Sequence, residues 1–157
     1  MVELPEVNMK HFHGYIPLIA AILSVFPCCS DFGESPETSI SFQHDRWKSF
    51  DLHSYSVIQL RGCFCPGPHM VSILVVRDTI ADVINLSDSS EVLPGQWLPW
   101  HTIDGLFQLA EATKAGNPYR FTARFDPTYA YPTYLYVDPS GAVDDEFSYT
   151  TTSLIPL

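Results

Sequence analysis

The sequence has few basic residues and no basic run. Lys and Arg together number 8 against 18 Asp and Glu, so the net charge is −10. Because nucleic-acid binding depends on neutralising phosphates, we expect no DNA or RNA partner for a chain this acidic. A polybasic surface for anionic lipids is equally absent. No apolar run reaches the ~18–20 residues of a membrane-spanning helix.

The sequence also lacks the short motifs of common catalytic and cofactor sites. It contains no Gly-x-Ser-x-Gly, no phosphate loop and no dinucleotide fingerprint. No internal repeat or low-complexity tract is present, and the histidines are scattered along the chain. We therefore expect no cofactor and no catalytic residues. This absence favours a binding domain over an enzyme.

The chain does contain enough apolar sequence for one folded domain. Of its 157 residues, 46% are hydrophobic and only 17% are charged, which is too apolar for a disordered chain. The 10 Phe, 8 Tyr and 3 Trp favour a compact interior built around a β-sheet.

The N-terminal segment has the features of an export signal. Residues 15–26 are uncharged and apolar, with the length of a signal-peptide core, and Lys10 supplies a positive flank. Two acidic residues before Met9 do not suit such a flank, so Met9 is the expected true start. Residues 1–30 are therefore predicted to be a signal peptide or lipoprotein anchor, which gives an exported, envelope location.

Two endings of this segment compete. Cys28 and Cys29 lie where a lipoprotein carries its acylated cysteine, although the residues before them match a lipobox only loosely. Ordinary cleavage after Ser30 and an uncleaved anchor are the alternatives. Residues 31–41 are polar and predict a tether, and residues 42–157 predict a single domain. Contact with the membrane is expected only through the N-terminal lipid or signal segment.

Hydrophobic periodicity predicts an α+β domain. We expect an antiparallel sheet of about five to six strands, with two helices packed on one face in the order α-β-β-β-α-β-β-β. Within the second helix, Thr102 is the expected N-cap and Gly116 the expected left-handed end. The predicted helices are 38–50 and 102–115, and the predicted strands are 55–65, 70–76, 79–86, 119–125, 131–137 and 147–154.

An ordered set of motifs resembles a known family. In order, the motifs are Trp47, Tyr55, Cys63-Phe64-Cys65, Thr102-Ile103-Asp104-Gly105-Leu106-Phe107, Phe125-Asp126-Pro127, Tyr131-Pro132-Thr133, Val137-Asp138 and Asp144-Asp145-Glu146. With these motifs, residues 42–157 resemble bacterial exported proteins and lipoproteins built on domain of unknown function 6174. The resemblance implies an envelope location and no established activity.

One residue departs from the pattern of that family. Ala130 stands where the family usually has glycine before Tyr-Pro. If that glycine serves a positive φ, Ala130 must adopt another turn or carry backbone strain.

Cys63 and Cys65 are the sharpest local feature of the domain. In an extended strand their Cα atoms would lie about 6.6–6.8 Å apart, near the upper limit for a disulfide, and a bend before Pro66 would bring them closer. We expect a structural disulfide, because unpaired thiols are uncommon in an oxidising compartment. A redox-active pair is one alternative. A metal site with His69 and either His53 or His101 is another, but the Cys-x-Cys-x₃-His spacing matches no common zinc site, so no metal is expected.

Two groups of residues are candidates for ligand binding. Trp97 and Trp100 lie in a Pro-rich loop, where they form a partner-binding patch or close the open end of the core. Asp126, Tyr131 and Asp138 lie at or beside the ends of predicted strands, where they form a polar cleft or ordinary turns. The expected partner is an envelope protein, peptide or glycan.

An acidic turn near the C-terminus offers a further possibility. It lacks the alternating acids of a helix–loop–helix calcium motif, so a solvated hairpin is the first interpretation and calcium binding the second. Its acidic residues are Asp138, Asp144, Asp145 and Glu146.

Overall fold

A computed structural model describes residues 39–157 of the chain. The predicted signal segment, the Cys28 and Cys29 lipidation sites and most of the predicted tether lie outside the described residues. Within residues 39–157, no helix combines the length and apolar character needed to cross a bilayer.

Two α-helices and six β-strands form the domain, in the predicted order α-β-β-β-α-β-β-β. The α+β fold class is therefore confirmed. The elements are α1 (Ile40–Lys48), β1 (Tyr55–Gly62), β2 (Met70–Val76), β3 (Thr79–Asn85), α2 (Ile103–Ala115), β4 (Arg120–Phe125), β5 (Pro132–Asp138) and β6 (Phe147–Pro156).

All six strands belong to one antiparallel sheet with the order β3-β2-β1-β6-β5-β4. Short connections within each group of three strands produce hairpins, as expected for antiparallel neighbours. The first and last strands pair at the centre, which leaves β3 and β4 at opposite edges. The chain between these edges contains α2, so this connection carries the helix across one face of the sheet.

Strand β1 shows how alternation creates the two faces. Tyr55, Val57 and Gln59 are buried beneath the helices, whereas Leu60 on the opposite face is 43% exposed. A strand with one buried face has this period of two. The most deeply buried aliphatic residues of the neighbouring strands complete the core: Val71, Ile73, Val75, Val83, Leu135 and Val137.

Both helices begin with side-chain caps and pack against Tyr55. The Ser39 hydroxyl accepts from the Phe42 N–H at the start of α1, and the Thr102 hydroxyl accepts from the Gly105 N–H at the start of α2. The Trp47 ring meets the Tyr55 ring edge-on at 5.5 Å between centroids. The buried Tyr55 hydroxyl accepts from the Ile103 N–H at 2.8 Å, so it satisfies a donor that a helix leaves unpaired in its first turn.

The end of β1 and the residue that closes α2 differ from prediction. Strand β1 ends at Gly62 rather than continuing to residue 65, so both cysteines lie in the turn that follows. Helix α2 ends at Ala115 as predicted, but Gly116 has a right-handed φ of −72°. The left-handed residue is Asn117, with φ 53°. Asparagine tolerates this conformation better than most residues other than glycine, which explains the shift by one position.

Ala130 adopts the left-handed conformation that glycine would accept without cost. Its φ is 64° and the residue is fully buried in the turn between β4 and β5. The Ala130 N–H donates to the Asp126 carbonyl at 3.0 Å, which holds the turn closed. Of the two expected possibilities, the chain therefore carries the strain rather than changing the turn.

Candidate functional site

A groove lies between the end of α1, the β2–β3 turn and the start of α2. Its volume is about 580 Å³. The wall combines apolar surface from Trp47 and Leu52 with three carboxylates and one lysine. The polar and backbone lining residues are Lys48, Asp51, His53, Asp78, Thr102, Asp104, Gly105 and Gln108.

His53 links two of the groove carboxylates. Its Nδ1 lies 2.8 Å from Asp78 Oδ2, and its Nε2 lies 3.0 Å from Asp51 Oδ1. The hydrogen bond to Asp78, followed by that to Asp51, raises the pKa of His53 above its usual value of 6.5. Because both ring nitrogens already face carboxylates, His53 is placed as a charged structural bridge rather than as a general base.

The backbone of the β2–β3 turn places Asp78 in this groove. Arg77 and Asp78 have φ values of 51° and 63°, which is the two-residue geometry that matches the twist of a tight hairpin. The Asp78 N–H donates to the His53 carbonyl at 2.9 Å. The turn is thus attached to the segment before β1 through both its backbone and its side chain.

A second histidine joins the two helices beside the groove. His44 Nε2 lies 3.0 Å from Asp104 Oδ1, and His44 Nδ1 lies 3.4 Å from Glu111 Oε1. The Trp47 indole N–H donates to the other Asp104 oxygen at 3.2 Å. The His44 ring also stacks on Phe107, with 4.4 Å between centroids and 14° between planes.

This His44 arrangement was not predicted from the sequence. Two spacing signals were present: His44 and Trp47 are three residues apart on α1, and Asp104 and Glu111 are seven apart on α2. Each spacing places its pair on one helix face. Neither spacing identifies the partner helix, which lies 60 or more residues further along the chain.

The cysteine pair lies at the other end of the sheet. The Cα atoms of Cys63 and Cys65 are 5.3 Å apart, and their sulfurs lie within bonding distance in the arrangement of a disulfide. The separation is shorter than in an extended strand because the chain bends after Gly62. Between them Phe64 is 89% exposed, whereas the two cysteines are partly buried.

Arg61 contacts the Cys65 sulfur of this pair. Its Nη2 donates to Cys65 Sγ at 2.8 Å and to the Pro66 carbonyl at 3.1 Å. The guanidinium lies over the Trp100 ring, 5.7 Å from its centroid. Burial, and then the nearby Arg61 charge, lower the pKa of His101 below its usual value. The Arg61 guanidinium therefore places a positive charge in partly buried surroundings at this end of the sheet.

One group of side chains in residues 39–157 could hold a metal ion. Ligand atoms of Cys63, Cys65 and His69 lie within 4.8 Å of one another. His53 and His101, the other histidines considered from the sequence, are not members of this group. His69 is exposed, and its Nδ1 lies 3.1 Å from the Arg61 carbonyl. Three such ligands are one short of the closed tetrahedral set of a structural zinc site.

The two tryptophans predicted for binding lie against the core. Trp100 is only 3% exposed, and the partly buried Trp97 packs on the same cluster. The Trp97 indole N–H donates to the Val92 carbonyl at 2.6 Å, whereas the buried Trp100 indole N–H has no partner among the described residues. Their participation in ligand binding stays a prediction.

The other predicted binding residues occupy two separate turns. Asp126 accepts from the Thr128 and Tyr129 N–H groups, and its own N–H donates to the carbonyl of the buried Tyr131. Asp138 accepts from the Gly141 N–H at 2.6 Å. Asp126 and Asp138 therefore lie at opposite ends of the β4–β5 hairpin, and the structure does not bring these two carboxylates together.

Some carboxylate oxygens of the acidic turn have partners within the turn, whereas the buried Asp145 Oδ1 has none among the described residues. The Asp145 carboxylate is hydrogen-bonded to the Ser140 hydroxyl, and the Asp138 carboxylate binds the turn backbone. In the region that the structure describes, these acids do not form a metal-binding cluster. Calcium binding therefore stays a prediction without support from the geometry.

Comparison with known proteins identifies the family of the chain. Searches of curated proteins and of solved structures found no match. Residues 39–156 match a family described as a family of unknown function, DUF6174. The match spans about three quarters of the sequence and nearly all of the described fold. The chain therefore belongs to the DUF6174 family.

Proposed function

We propose that the chain is an exported binding domain, attached to the bacterial envelope through its N-terminal segment. The apolar residues 15–26 and the two cysteines that follow them support export and lipid attachment. One acyl chain holds a protein only weakly, so stable attachment would use a second chain. The domain then presents its groove to a partner in the envelope.

The groove beside α2 is the observation that carries the binding role. At about 580 Å³ it has the size of a typical ligand site, and its wall contains the carboxylates of Asp51, Asp78 and Asp104. Lys48 and His53 offset part of this charge, and the chain as a whole is strongly acidic. These features fit a basic side chain, whose aliphatic stem would contact the partly exposed Leu52 and whose charged end would meet Asp51 and Asp78. We therefore propose a peptide segment rich in Lys or Arg as the ligand.

The chemistry of the groove supports binding rather than catalysis. Each nitrogen of His53 already faces a carboxylate, and both oxygens of Asp104 already have partners on α1. A general base needs a free lone pair within reach of the substrate proton. With these partners, His53 and Asp104 supply charge to the groove rather than accept a proton from a ligand.

The binding role is tested by titrating the domain with a short lysine- and arginine-containing peptide. The Asp51→Asn/Asp78→Asn double variant should bind about tenfold more weakly at low salt, since each carboxylate contributes a partly exposed ion pair. The matched control is Asp45→Asn/Asp144→Asn, which changes the net charge equally at exposed sites outside the groove. An equal loss of peptide affinity in both double variants would show that binding follows net charge and would refute the groove as the binding site.

Membrane attachment is tested by the intact mass of protein isolated from its native envelope. A lipid-sized increment that disappears in Cys28→Ser or Cys29→Ser would support the lipoprotein proposal. Cleavage after Ser30 without added mass would replace it with plain secretion. An unmodified chain that begins before Met9 would contradict export.

A further inference from the structure

We propose that Cys63 and Cys65 form an exchangeable disulfide that oxidises dithiols of partner proteins. In this reaction Cys63 is the sulfur that is attacked and Cys65 is the leaving sulfur. The inference extends beyond ligand binding at the groove, because the pair lies at a different part of the sheet. It depends on an asymmetry between the two sulfurs.

The first part of this asymmetry is the position of Arg61. Its Nη2 donates to Cys65 Sγ at 2.8 Å, and no hydrogen bond to the Cys63 sulfur is found within residues 39–157. A guanidinium keeps its charge at every physiological pH. Negative charge that develops on a sulfur is therefore stabilised at Cys65 much more than at Cys63.

The Arg61 guanidinium is held in place before any reaction begins. It donates to the Pro66 carbonyl at 3.1 Å and lies over the ring of the buried Trp100. These contacts fix the positive charge beside Cys65 without requiring a rearrangement. Such pre-positioned charge is most effective when it faces the atom on which charge appears during the reaction.

The second part of the asymmetry is access. A cleft of about 200 Å³ is lined by Cys63 and Phe64 but not by Cys65. It gives an incoming thiol access to the pair from the side of Cys63, and Arg61 is not among its lining residues. The highly exposed Phe64 offers an apolar contact for a partner chain. The other residues of the cleft are Gly62, Tyr136, Asp144, Glu146, Phe147 and Ser148.

The exchange proceeds in two balanced steps. A partner thiolate attacks Cys63 Sγ, the Cys63–Cys65 bond breaks, and its electron pair passes to Cys65 Sγ beside Arg61. The second partner thiolate then attacks the partner sulfur of the mixed disulfide and releases Cys63. The partner dithiol loses two electrons and two protons and becomes a disulfide, while Cys63 and Cys65 become thiols.

The direct test maps which sulfur is attacked in the unaltered chain. The oxidised protein is mixed with excess glutathione, quenched with N-ethylmaleimide after a short time, digested and analysed by mass spectrometry. We expect glutathione on Cys63 and maleimide on Cys65 with a preference of about tenfold. An even distribution, or a preference for Cys65, would overturn the assignment.

Arg61→Met tests the cause of this preference. The variant should lose most of the bias toward Cys63 and react with glutathione roughly five- to tenfold more slowly. Arg120→Met is the matched control. Arg120 begins edge strand β4 and its guanidinium also lies over an aromatic ring, that of Tyr119. If Arg61→Met does not fold, the mapping on the unaltered chain still decides the proposal.

A last experiment separates exchange from a structural bridge and from a metal site. A reduced peptide dithiol is incubated with the oxidised protein, and peptide disulfide should form in equal amount to new protein thiols. Reduction of the pair only under unfolding conditions would show a structural bridge and overturn the proposal. Zinc bound by the reduced protein tightly enough to prevent reoxidation would overturn it in favour of a site at Cys63, Cys65 and His69.

Discussion

Two histidines of this domain are each placed between two carboxylates, yet their surroundings differ. The His44 side chain is 10% exposed, and it lies between Asp104 and Glu111 at the seam of α1 and α2. The His53 side chain is 59% exposed, and it lies between Asp51 and Asp78 at the groove rim. Each histidine has one carboxylate contact of 3.0 Å, and the second contact is 3.4 Å at His44 and 2.8 Å at His53, so the more buried site does not have the shorter contacts.

The two sites show that the number of histidine–carboxylate contacts is a poor guide to how much those contacts stabilise the fold. Exposed pairs are screened by solvent and contribute little to stability. His44 adds a stacked contact with the fully buried Phe107 and links α1 to α2 through Asp104 and Glu111. We expect His44 to act in the folding of the domain and His53 to act mainly in the shape and charge of the groove.

Removal of each imidazole is the strongest test of this difference. His44→Ala should lower the free energy of unfolding by about 2 kcal/mol, because it opens space above Phe107 and removes a partner of Asp104. His53→Ala should have a much smaller effect, since solvent replaces its contacts. Urea denaturation of both variants measures the two losses. Equal losses would show that burial does not separate the two sites.

The two carboxylates at His44 are also expected to differ. Asp104→Asn should cost about 1 kcal/mol, because Asp104 meets both His44 and Trp47 and carries charge in the first turn of α2. Glu111→Gln is the matched control and should cost only a few tenths of a kcal/mol, as the residue is exposed and its contact is long. A larger loss for Glu111→Gln would mean that the outer contact dominates.

The left-handed backbone of Ala130, in the turn between β4 and β5, gives a further stability prediction. Ala130→Gly should raise the free energy of unfolding by about 0.5–1 kcal/mol, because glycine accepts a φ of 64° without steric strain. The greater freedom of glycine in the unfolded chain offsets part of this gain. Thermal unfolding of the variant beside the parent chain measures the net effect. A loss of stability would show that the buried methyl group outweighs the backbone strain.

The smallest expected effect is the pH dependence due to His53. Hydrogen bonds to Asp78 and Asp51 raise the pKa of His53 in the folded state, so protonation favours folding. This contribution is complete below the unfolded pKa of about 6.5 and is lost as the pH rises through the higher folded pKa. The Tm difference between the parent and His53→Gln should therefore be larger at pH 5.5 than at pH 9. An unchanged difference would contradict this linkage.

Local patterns were sufficient to predict most of the fold. The β-branched run of β2 predicted its observed limits, Met70–Val76, and the cap at Thr102 predicted the start of α2. Both signals act through nearest neighbours in the chain. The end of β1 was predicted three residues too late, because alternation continued through Cys65 although the backbone had already turned at Gly62.

The candidate sites were harder to predict because their residues come together only in the folded chain. The proximity of Arg61 and Cys65 could have been predicted from the sequence, because the two residues are only four positions apart. The groove was not, because α1, the β2–β3 turn and α2 contribute its wall from distant parts of the chain. Nor could the sequence show that Trp100 is buried beside Arg61.

The amino-acid sequence by itself determined the acidic charge and the order of the elements. These properties depend on composition, short-range backbone preferences and the period of two or 3.6 residues. Only the tertiary structure decided that β1 pairs with β6, that His44 meets α2 and that Arg61 faces one sulfur of a pair. Such contacts join residues that the chain separates, and packing of the sheet against both helices selects them.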